Sequence, residues 1–265
     1  MLPKVLAIDR GKPVNHENTL RARPQAKDHL AVLAHELRTP LSAMLTSLEV
    51  WRRCGTDGLT AQRTRGVIER QARHMGRLID ELLDVCRIDR GKVQLCKERL
   101  HLAAAVVDAV DSVSALIEER GHNLEVALPP EALYVHADPT RLQQILVNLL
   151  TNAVKYTEPG GQIWLRVEKG MGEAVLRLRD TGIGIAPDIL PSIFDPFAQE
   201  KNGSRGGLGI GLHLVQGLVR LHGGTITAVS PGSGQGSEFV VRLPLCGSAG
   251  DGGVVQACPP VDEQK

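Results

Sequence analysis

A ladder of apolar residues with helical spacing dominates the first quarter of the chain. Its members recur at steps of three and four residues: Leu30, Leu33, Leu37, Leu41, Met44 and Leu48. This period predicts an amphipathic helix whose apolar stripe packs against another helix. At about 100° per residue, His35 points away from that stripe, with Glu36 beside it and Thr39 one turn later. Pro40 cannot donate a hydrogen bond to the Glu36 carbonyl, so we expect the helix to bend or loosen there.

The exposed pair His35 and Glu36 has two interpretations. A solvent-facing imidazole beside a carboxylate can act as a nucleophile, with the carboxylate as the proton acceptor. A single histidine on an exposed helix face is also commonly a solvated polar residue without chemistry. The Thr39 hydroxyl likewise either faces a reaction centre or bonds back to the helix backbone ahead of Pro40.

A second helix follows after a short turn and predicts a hairpin. We expect the first helix to begin near residues 25–28 and to stop at Gly55, and Thr60 to cap a second helix that ends at Asp89. The second helix has its own apolar seam, formed by Ile68, Met75, Leu78, Leu82 and Val85. A lone hairpin buries little apolar area. Two hairpins that pair into a four-helix bundle would bury more, so we predict a homodimer. The alternative is a hairpin folded onto the C-terminal part of its own chain.

Beyond Gly91 the pattern alternates between short strands and helices. Strands are predicted near 93–100, 124–128, 134–137, 163–167, 174–179, 225–229 and 239–243, and helices over 102–120, from Pro139 and over 212–222. This mixture predicts an α/β sandwich, in which a mixed sheet carries helices on one face. The whole chain is therefore predicted to be α+β. Its segments are a tail (1–24), the hairpin (25–91), the sandwich (92–246) and a flexible C-terminal tail (247–265).

Composition narrows the class of protein. The chain has 265 residues, of which 42% are hydrophobic and 23% charged, as is typical of soluble globular proteins. A net charge of +1 and an aromatic content of 3% argue against a nucleic-acid or membrane surface. The five cysteines form no C-x-x-C pair, and no apolar run approaches the roughly 20 residues of a membrane-spanning helix. We therefore expect a cytoplasmic protein without a membrane segment.

One helix of the sandwich carries polar residues suited to nucleotide phosphates. It is predicted to begin at Asp138, and Asn148 and Asn152 share one of its faces, followed by Lys155 and Tyr156. Neutral amide oxygens suit Mg²⁺. Lys155 can neutralise phosphate, and Tyr156 can lie against a base or ribose. An asparagine pair at this spacing is also common on an ordinary polar helix face.

The segment Asp180-Thr181-Gly182-Ile183-Gly184-Ile185 follows directly after a predicted strand. A fixed Asp180 carboxylate can accept a hydrogen bond from an exocyclic amino group such as that of adenine. Gly182 and Gly184 allow the backbone to approach a ligand closely. Tight turns use the same residues, so the segment alone is a weak signal.

A second glycine-rich segment contains Gly207, Gly209 and Gly211 and precedes a helix beginning at Leu212. Successive glycine N–H groups and a helix N-terminus together form an anion site. The alternative is a flexible loop without a ligand. The polar residues 199–205 before it are predicted to form a mobile lid.

The order of these motifs is more specific than any one of them. The chain reads H-E-L-R-T-P-L from His35, N-L-L-T-N-A-V-K-Y from Asn148, D-T-G-I-G-I from Asp180, F-D-P-F from Phe194, G-L-G-I-G-L from Gly207 and G-Q-G-S from Gly234. This succession resembles the core of sensor histidine kinases over about residues 25–246. The resemblance implies a dimerisation and phosphotransfer hairpin followed by a Bergerat-type ATP-binding domain.

The resemblance also implies roles for the hairpin residues. His35 would accept the γ-phosphoryl group of ATP and pass it to an aspartate in the receiver domain of a response regulator. Glu36 would orient the ring and accept its proton. Thr39 would position a water molecule for dephosphorylation of the regulator. The input would come from an upstream sensor domain or protein outside this chain.

In the ATP-binding domain the resemblance makes Asn152 the main Mg²⁺ ligand, with Asn148 assisting, and makes Asp180 the contact to adenine. Gly207, Gly209 and Gly211 would line the triphosphate. Ser237 stands where the family usually carries Thr after the last glycine, and it keeps the hydroxyl.

Two other functions compete with the kinase hypothesis. A degenerate dimeric scaffold would bind nucleotide and regulator without turnover, and it should lack the acceptor or a metal ligand. A protein Ser/Thr kinase on the same ATP fold would leave the H-E-L-R-T-P hairpin without a purpose. The kinase hypothesis fits better because His35, Asn152 and Asp180 are all present.

Overall fold

Two long helices form a hairpin at the start of the molecule, α1 (Glu17–Cys54) and α2 (Leu59–Asp89). The computed structural model describes residues 17–54, 58–198 and 208–246, with the backbone only for residues 17–31 and Cys54. The prediction of a stop at Gly55 and the predicted lid at 199–205 lie outside the described residues, as does the C-terminal tail.

Two predicted helix boundaries in the hairpin are wrong. α1 begins at Glu17 rather than near residues 25–28, because the good helix formers before Pro24 extend the helix and Pro24 does not end it. α2 begins at Leu59, one residue before the predicted cap Thr60. Gly58 takes the cap position with φ 102°, a conformation that glycine adopts readily, and its carbonyl accepts from Gln62 N–H.

The rest of the described chain forms an α/β sandwich, as predicted. Its elements are β1 (Glu98–His101), α3 (Leu102–Arg120), β2 (Asn123–Ala127), β3 (Tyr134–Ala137), α4 (Pro139–Tyr156), β4 (Gln162–Lys169), β5 (Glu173–Asp180), a 3₁₀ turn (Leu190–Ser192), α5 (Gly211–Leu221), β6 (Thr225–Val229) and β7 (Ser237–Pro244). Five strands form a mixed sheet in the order β2-β4-β5-β7-β6, in which only β2 and β4 are parallel. β1 and β3 form a separate antiparallel pair.

The predicted strand near 93–100 is shorter than expected, since only Glu98–His101 pair with β3. The residues before it are held instead by side chains, because Cys96 N–H donates to the Asp138 carboxylate. Asp138 also caps α4 by accepting from Arg141 N–H, and Pro139 occupies the first turn, both as predicted. This cap fixes the start of the helix that carries Asn148 and Asn152.

A continuous apolar core joins the sandwich to the hairpin. Leu78 and Val85 of α2 are buried in the same core as the inner faces of α4 and α5, and Leu33 and Leu37 of α1 pack against it. The hairpin therefore does fold onto its own C-terminal domain. A second apolar stripe on the hairpin stays exposed, formed by Leu41, Leu45, Leu48, Ile79 and Leu83. Among the described residues, no helix has both the length and the apolarity to cross a membrane.

Candidate functional site

A cavity of about 870 Å³ lies between the hairpin and the sandwich. One wall comes from α1 and α2 and the other from α4 and the start of α5. Of the residues predicted from the sequence, this cavity is lined by His35, Glu36, Thr39, Asn148, Asn152, Lys155, Tyr156, Gly209 and Gly211. Its volume lies within the range of small-molecule sites, and it is large enough for a nucleotide.

The α4 wall is a single polar stripe. Asn148, Thr151, Asn152 and Lys155 follow at steps of three and four residues, so they share one helix face and all border the cavity. The Asn148 side-chain NH₂ is buried and has no hydrogen-bond partner among the described residues. An unpaired buried amide is costly, and a phosphate oxygen would satisfy it. Amide oxygens on the same stripe suit Mg²⁺, so these residues fit both the nucleotide and its cation.

The start of α5 forms the adjoining wall. Gly211 is the first residue of α5, so its turn carries backbone N–H groups without helical partners. A Cβ on Gly211 would meet no atom within 4 Å, whereas one on Gly209 would lie 2.7 Å from the Ala198 carbonyl oxygen. The glycine at 209, with φ 67°, is therefore required by the fold, but the glycine at 211 is not. Gly207 lies outside the described residues.

On the α1 wall, His35 and Thr39 are both exposed, as predicted from the helical period. The Thr39 hydroxyl donates to the backbone carbonyl of His35 at 3.2 Å. This is the bond back to the helix backbone that is the alternative to a role for Thr39 at a reaction centre. The helix continues without interruption through the buried Pro40. His35 and Thr39 therefore lie one turn apart on a continuous helix.

The structure adds a wall that sequence reasoning missed, on α2. Gln71, His74, Arg77 and Glu81 line the cavity opposite α4. Their spacing places them on one face of α2. That spacing is the feature of the sequence from which they could have been grouped as a polar face. The sequence did not show which face of α2 would meet α4.

These α2 residues set the charge of the cavity. Burial lowers the pKa of His74, helped by the nearby Arg77 and Lys155 charges and opposed by Glu36. Burial raises the pKa of Glu81, while Arg77 and Lys155 oppose the shift. Arg77 and Lys155 therefore supply positive potential on both sides of the cavity, which favours a polyphosphate.

Asp180, Gly182, Gly184 and Ser237 do not line this cavity but form a second cluster behind the end of α4. The Asp180 carboxylate is buried and accepts from Gly182 N–H at 2.8 Å and from the Ser237 hydroxyl at 2.6 Å. Tyr156 connects this cluster to the cavity, which it borders. Its backbone carbonyl accepts a hydrogen bond from Ile183 N–H at 3.0 Å. Ser237 therefore orients the Asp180 carboxylate, a role that the sequence did not reveal.

Close backbone packing explains the glycines of this cluster. A Cβ on Gly182 would lie 2.5 Å from the Tyr156 carbonyl oxygen. A Cβ on Gly184 would collide with the Gly232 carbonyl, and Gly184 has φ 68°. Both glycines are required by the fold itself, independently of any ligand.

Comparison with known proteins agrees with this arrangement. Residues 25–91 match the His Kinase A (phospho-acceptor) domain, and residues 137–247 match the histidine kinase-, DNA gyrase B- and HSP90-like ATPase family. The chain therefore belongs to the histidine kinases and contains a sensor histidine kinase core.

Individual relatives show how far the similarity extends. The circadian input-output histidine kinase CikA of Synechococcus elongatus is 36% identical over 224 residues, which are 82% of this chain and 30% of CikA. The sensor histidine kinase TrcS of Mycobacterium tuberculosis is 38% identical over 220 residues, which are 80% of this chain and 42% of TrcS. A crystal structure of full-length ShkA in complex with AMPPNP superposes with a TM-score of 0.64 at 28% identity, covering 84% of this chain and 47% of ShkA. The chain spans less than half the length of these relatives.

Proposed function

We propose that this chain autophosphorylates His35 from ATP and passes the phosphoryl group to an aspartate of a response-regulator receiver domain. The observation that supports this most directly is the shared cavity. The exposed His35 ring and the Glu36 carboxylate border the same space as Asn148, Asn152 and the start of α5.

The chain's own residues account for the first transfer. A lone pair on a His35 ring nitrogen attacks the γ-phosphorus while Glu36 orients the ring and takes its proton. Lys155, Arg77 and the N–H groups at the start of α5 neutralise phosphate charge. Asn152, with Asn148 assisting, would hold Mg²⁺, which supplies charge neutralisation at the phosphate oxygens. Asp180 would accept from the adenine amino group, since each of its oxygens keeps a lone pair beyond the contacts described.

The proposal also covers partners. The exposed apolar stripe on the hairpin would pair with the same stripe of a second copy to form a four-helix bundle. The receiver domain would then dock near the exposed His35. The input signal would arrive from a sensor domain or protein outside this core, and the protein would act in the cytoplasm.

Incubation with γ-labelled ATP and Mg²⁺ tests the proposal. The wild-type chain should acquire acid-labile, base-stable label, and His35→Gln should acquire none. Asn152→Ala should lose Mg²⁺-dependent labelling while keeping its fold. Label that persists in His35→Gln would overturn the proposal, and so would a wild-type chain that binds ATP but is never labelled, as the scaffold alternative predicts.

A further inference from the structure

The helices that border the nucleotide cavity are held against the hairpin by three contacts near the end of α2. The first is a buried carboxylate, Asp84, which is 8% exposed. It accepts from the Arg141 guanidinium at 2.6 Å and from the Gln144 side-chain NH₂ at 3.0 Å. Arg141 also donates to the side-chain amide oxygen of Gln144 at 2.8 Å, so the three side chains form one closed network. None of the motifs quoted from the sequence contains Asp84.

The other two contacts hold α5. His213 hydrogen-bonds to the Asp89 carboxylate at 3.0 Å and to the Phe194 carbonyl at 2.9 Å. One turn further on, Gly217 packs against Ile88 so closely that a Cβ would lie 2.6 Å from an Ile88 methyl carbon. All the α2 residues that contact α4 and α5 in this way therefore lie within about one and a half turns of α2, between Asp84 and Asp89.

The network lies on the face of α4 that carries the metal-binding amides. Gln144, Asn148 and Asn152 follow at steps of four residues, so the anchored turn and the two asparagines lie along one stripe. At about 1.5 Å per residue, Gln144 is roughly 12 Å from Asn152 along the helix axis. Anchoring Gln144 and Arg141 therefore sets the position of the amides relative to α2.

α2 is also packed against α1 of the same chain, which presents His35. Leu33 and Leu37 of α1 contact the core that contains Leu78 of α2. His35 thus borders the same cavity as the phosphate-binding residues of its own chain.

We propose that phosphoryl transfer to His35 takes place within one chain of the dimer, and that Asp84 is the positioning residue that holds α4 in the transfer geometry. This inference rests on the proposed kinase function. In the step itself, a bond forms between a His35 ring nitrogen and the γ-phosphorus, and the bond from that phosphorus to the β,γ-bridging oxygen breaks. ADP leaves with the bridging oxygen, and the proton on the other ring nitrogen passes to Glu36.

Mixed dimers with two different affinity tags test the route of transfer. In a dimer of His35→Gln with Asn152→Ala, each chain lacks either the acceptor or the metal ligand, so transfer within a chain predicts no label. Transfer between chains predicts label on the Asn152→Ala chain. The reciprocal dimer pairs a wild-type chain with the His35→Gln/Asn152→Ala double variant. There, transfer within a chain predicts a labelled wild-type chain, and transfer between chains predicts none.

Variants of Asp84 test its positioning role. Asp84→Ala should slow labelling of His35 by about 10²-fold, the scale of loss for a misplaced reacting group, while ATP affinity changes little. Its thermal stability should fall, because the Arg141 guanidinium loses its buried partner. Asp80→Ala removes an exposed carboxylate one turn earlier on α2, so it is the matched control and should label normally. The charge-swapped double variant Asp84→Arg/Arg141→Asp should recover part of the lost rate, because it restores the ion pair. A loss of rate without a loss of ATP affinity in the single variant is what distinguishes positioning from a purely structural role.

The outcomes separate this inference from the function on which it rests. If homodimers of the wild-type chain are not labelled at all, the kinase function is wrong. If they are labelled but the complementing dimer is labelled as well, transfer occurs between chains and this inference is wrong. Equal losses of labelling rate and ATP affinity in Asp84→Ala would overturn the positioning role.

Discussion

Gly211 is the position at which an added side chain tests the phosphate site most directly. A methyl group there meets no atom of the described protein within 4 Å, and alanine loses less backbone conformational freedom on folding than glycine does. Gly211→Ala should therefore fold at least as stably as the wild type. It should bind ATP about tenfold more weakly, because the methyl group keeps the phosphates from the N–H groups at the start of α5. Calorimetric titration with ATP checks the affinity, and unchanged binding would remove α5 from the phosphate site.

Thr39 is proposed to act only on the partner. Its hydroxyl donates to the His35 carbonyl, but its oxygen still has lone pairs that can orient a water molecule towards a docked phospho-aspartate. Thr39→Ala should leave the rate of His35 labelling within about twofold while slowing loss of phosphate from the regulator about tenfold or more. Both rates are measured on the same preparation. Equal losses would mean that Thr39 serves only the helix backbone.

His222 is expected to make the folded state sensitive to acid. The buried ring accepts from Asp138 N–H at Nε2 and donates from Nδ1 to the Leu218 carbonyl, an arrangement that requires the neutral form. Burial lowers its pKa below 6.5, and Lys97 acts in the same direction, while the Leu218 hydrogen bond and Asp138 oppose the shift. The unfolded chain thus binds a proton more readily, so the free energy of unfolding should fall as the pH drops below about 6.5.

His222→Gln keeps a hydrogen-bonding side chain that does not titrate. Urea unfolding at pH 7.5 and pH 5.5 should show a smaller loss of stability on acidification in this variant than in the wild type. His74 contributes in the same direction as His222, and Glu81 in the opposite direction, but both remain in the two proteins. An equal loss in both proteins would show that His222 is not responsible.

The exposed apolar stripe of the two hairpin helices is the feature that a second copy would cover. Leu41, Leu45, Leu48, Ile79 and Leu83 expose between 40% and 58% of their surface and lie along both helices. Leu45→Glu should convert a dimer to a monomer in analytical ultracentrifugation, because a carboxylate in the bundle core would be buried without a partner. Thr46→Glu introduces the same charge on the neighbouring exposed polar face and should leave the dimer intact. A Leu45→Glu dimer as stable as the wild type would exclude this stripe as the interface.

Local signals decided which elements could be predicted from the sequence. The end of α3 at Gly121, which adopts φ 63°, and the start of α4 at the Asp138 cap were both predicted correctly. Each boundary depends on the backbone or side-chain chemistry of a single residue, which can be read from the sequence. The start of α1 was missed because Pro24 is a weaker stop than its chemistry suggests. The cap of α2 was missed because Gly58 competes with Thr60, and sequence patterns do not rank such neighbours.

The site shows the same division between local and long-range information. The polar stripe of α4 was readable because its residues lie within one helix. The Ser237–Asp180 hydrogen bond and the Asp84–Arg141 pair join residues 57 positions apart, so no local pattern reports them. The α2 wall of the cavity depends on how the hairpin packs against the sandwich, and only the assembled structure shows that.

The whole molecule brings the parts of the proposed reaction together, since ATP bound at α4 and α5 would phosphorylate His35 across the shared cavity. The most direct test is to locate the phosphoryl group. The protein is incubated with ATP and Mg²⁺, digested at alkaline pH and sequenced by mass spectrometry. We expect phosphorylation of the α1 peptide at His35 in the wild type and none in Asn152→Ala. A phosphoryl group on any other residue, or on His35 at the same level in Asn152→Ala, would contradict the proposed reaction.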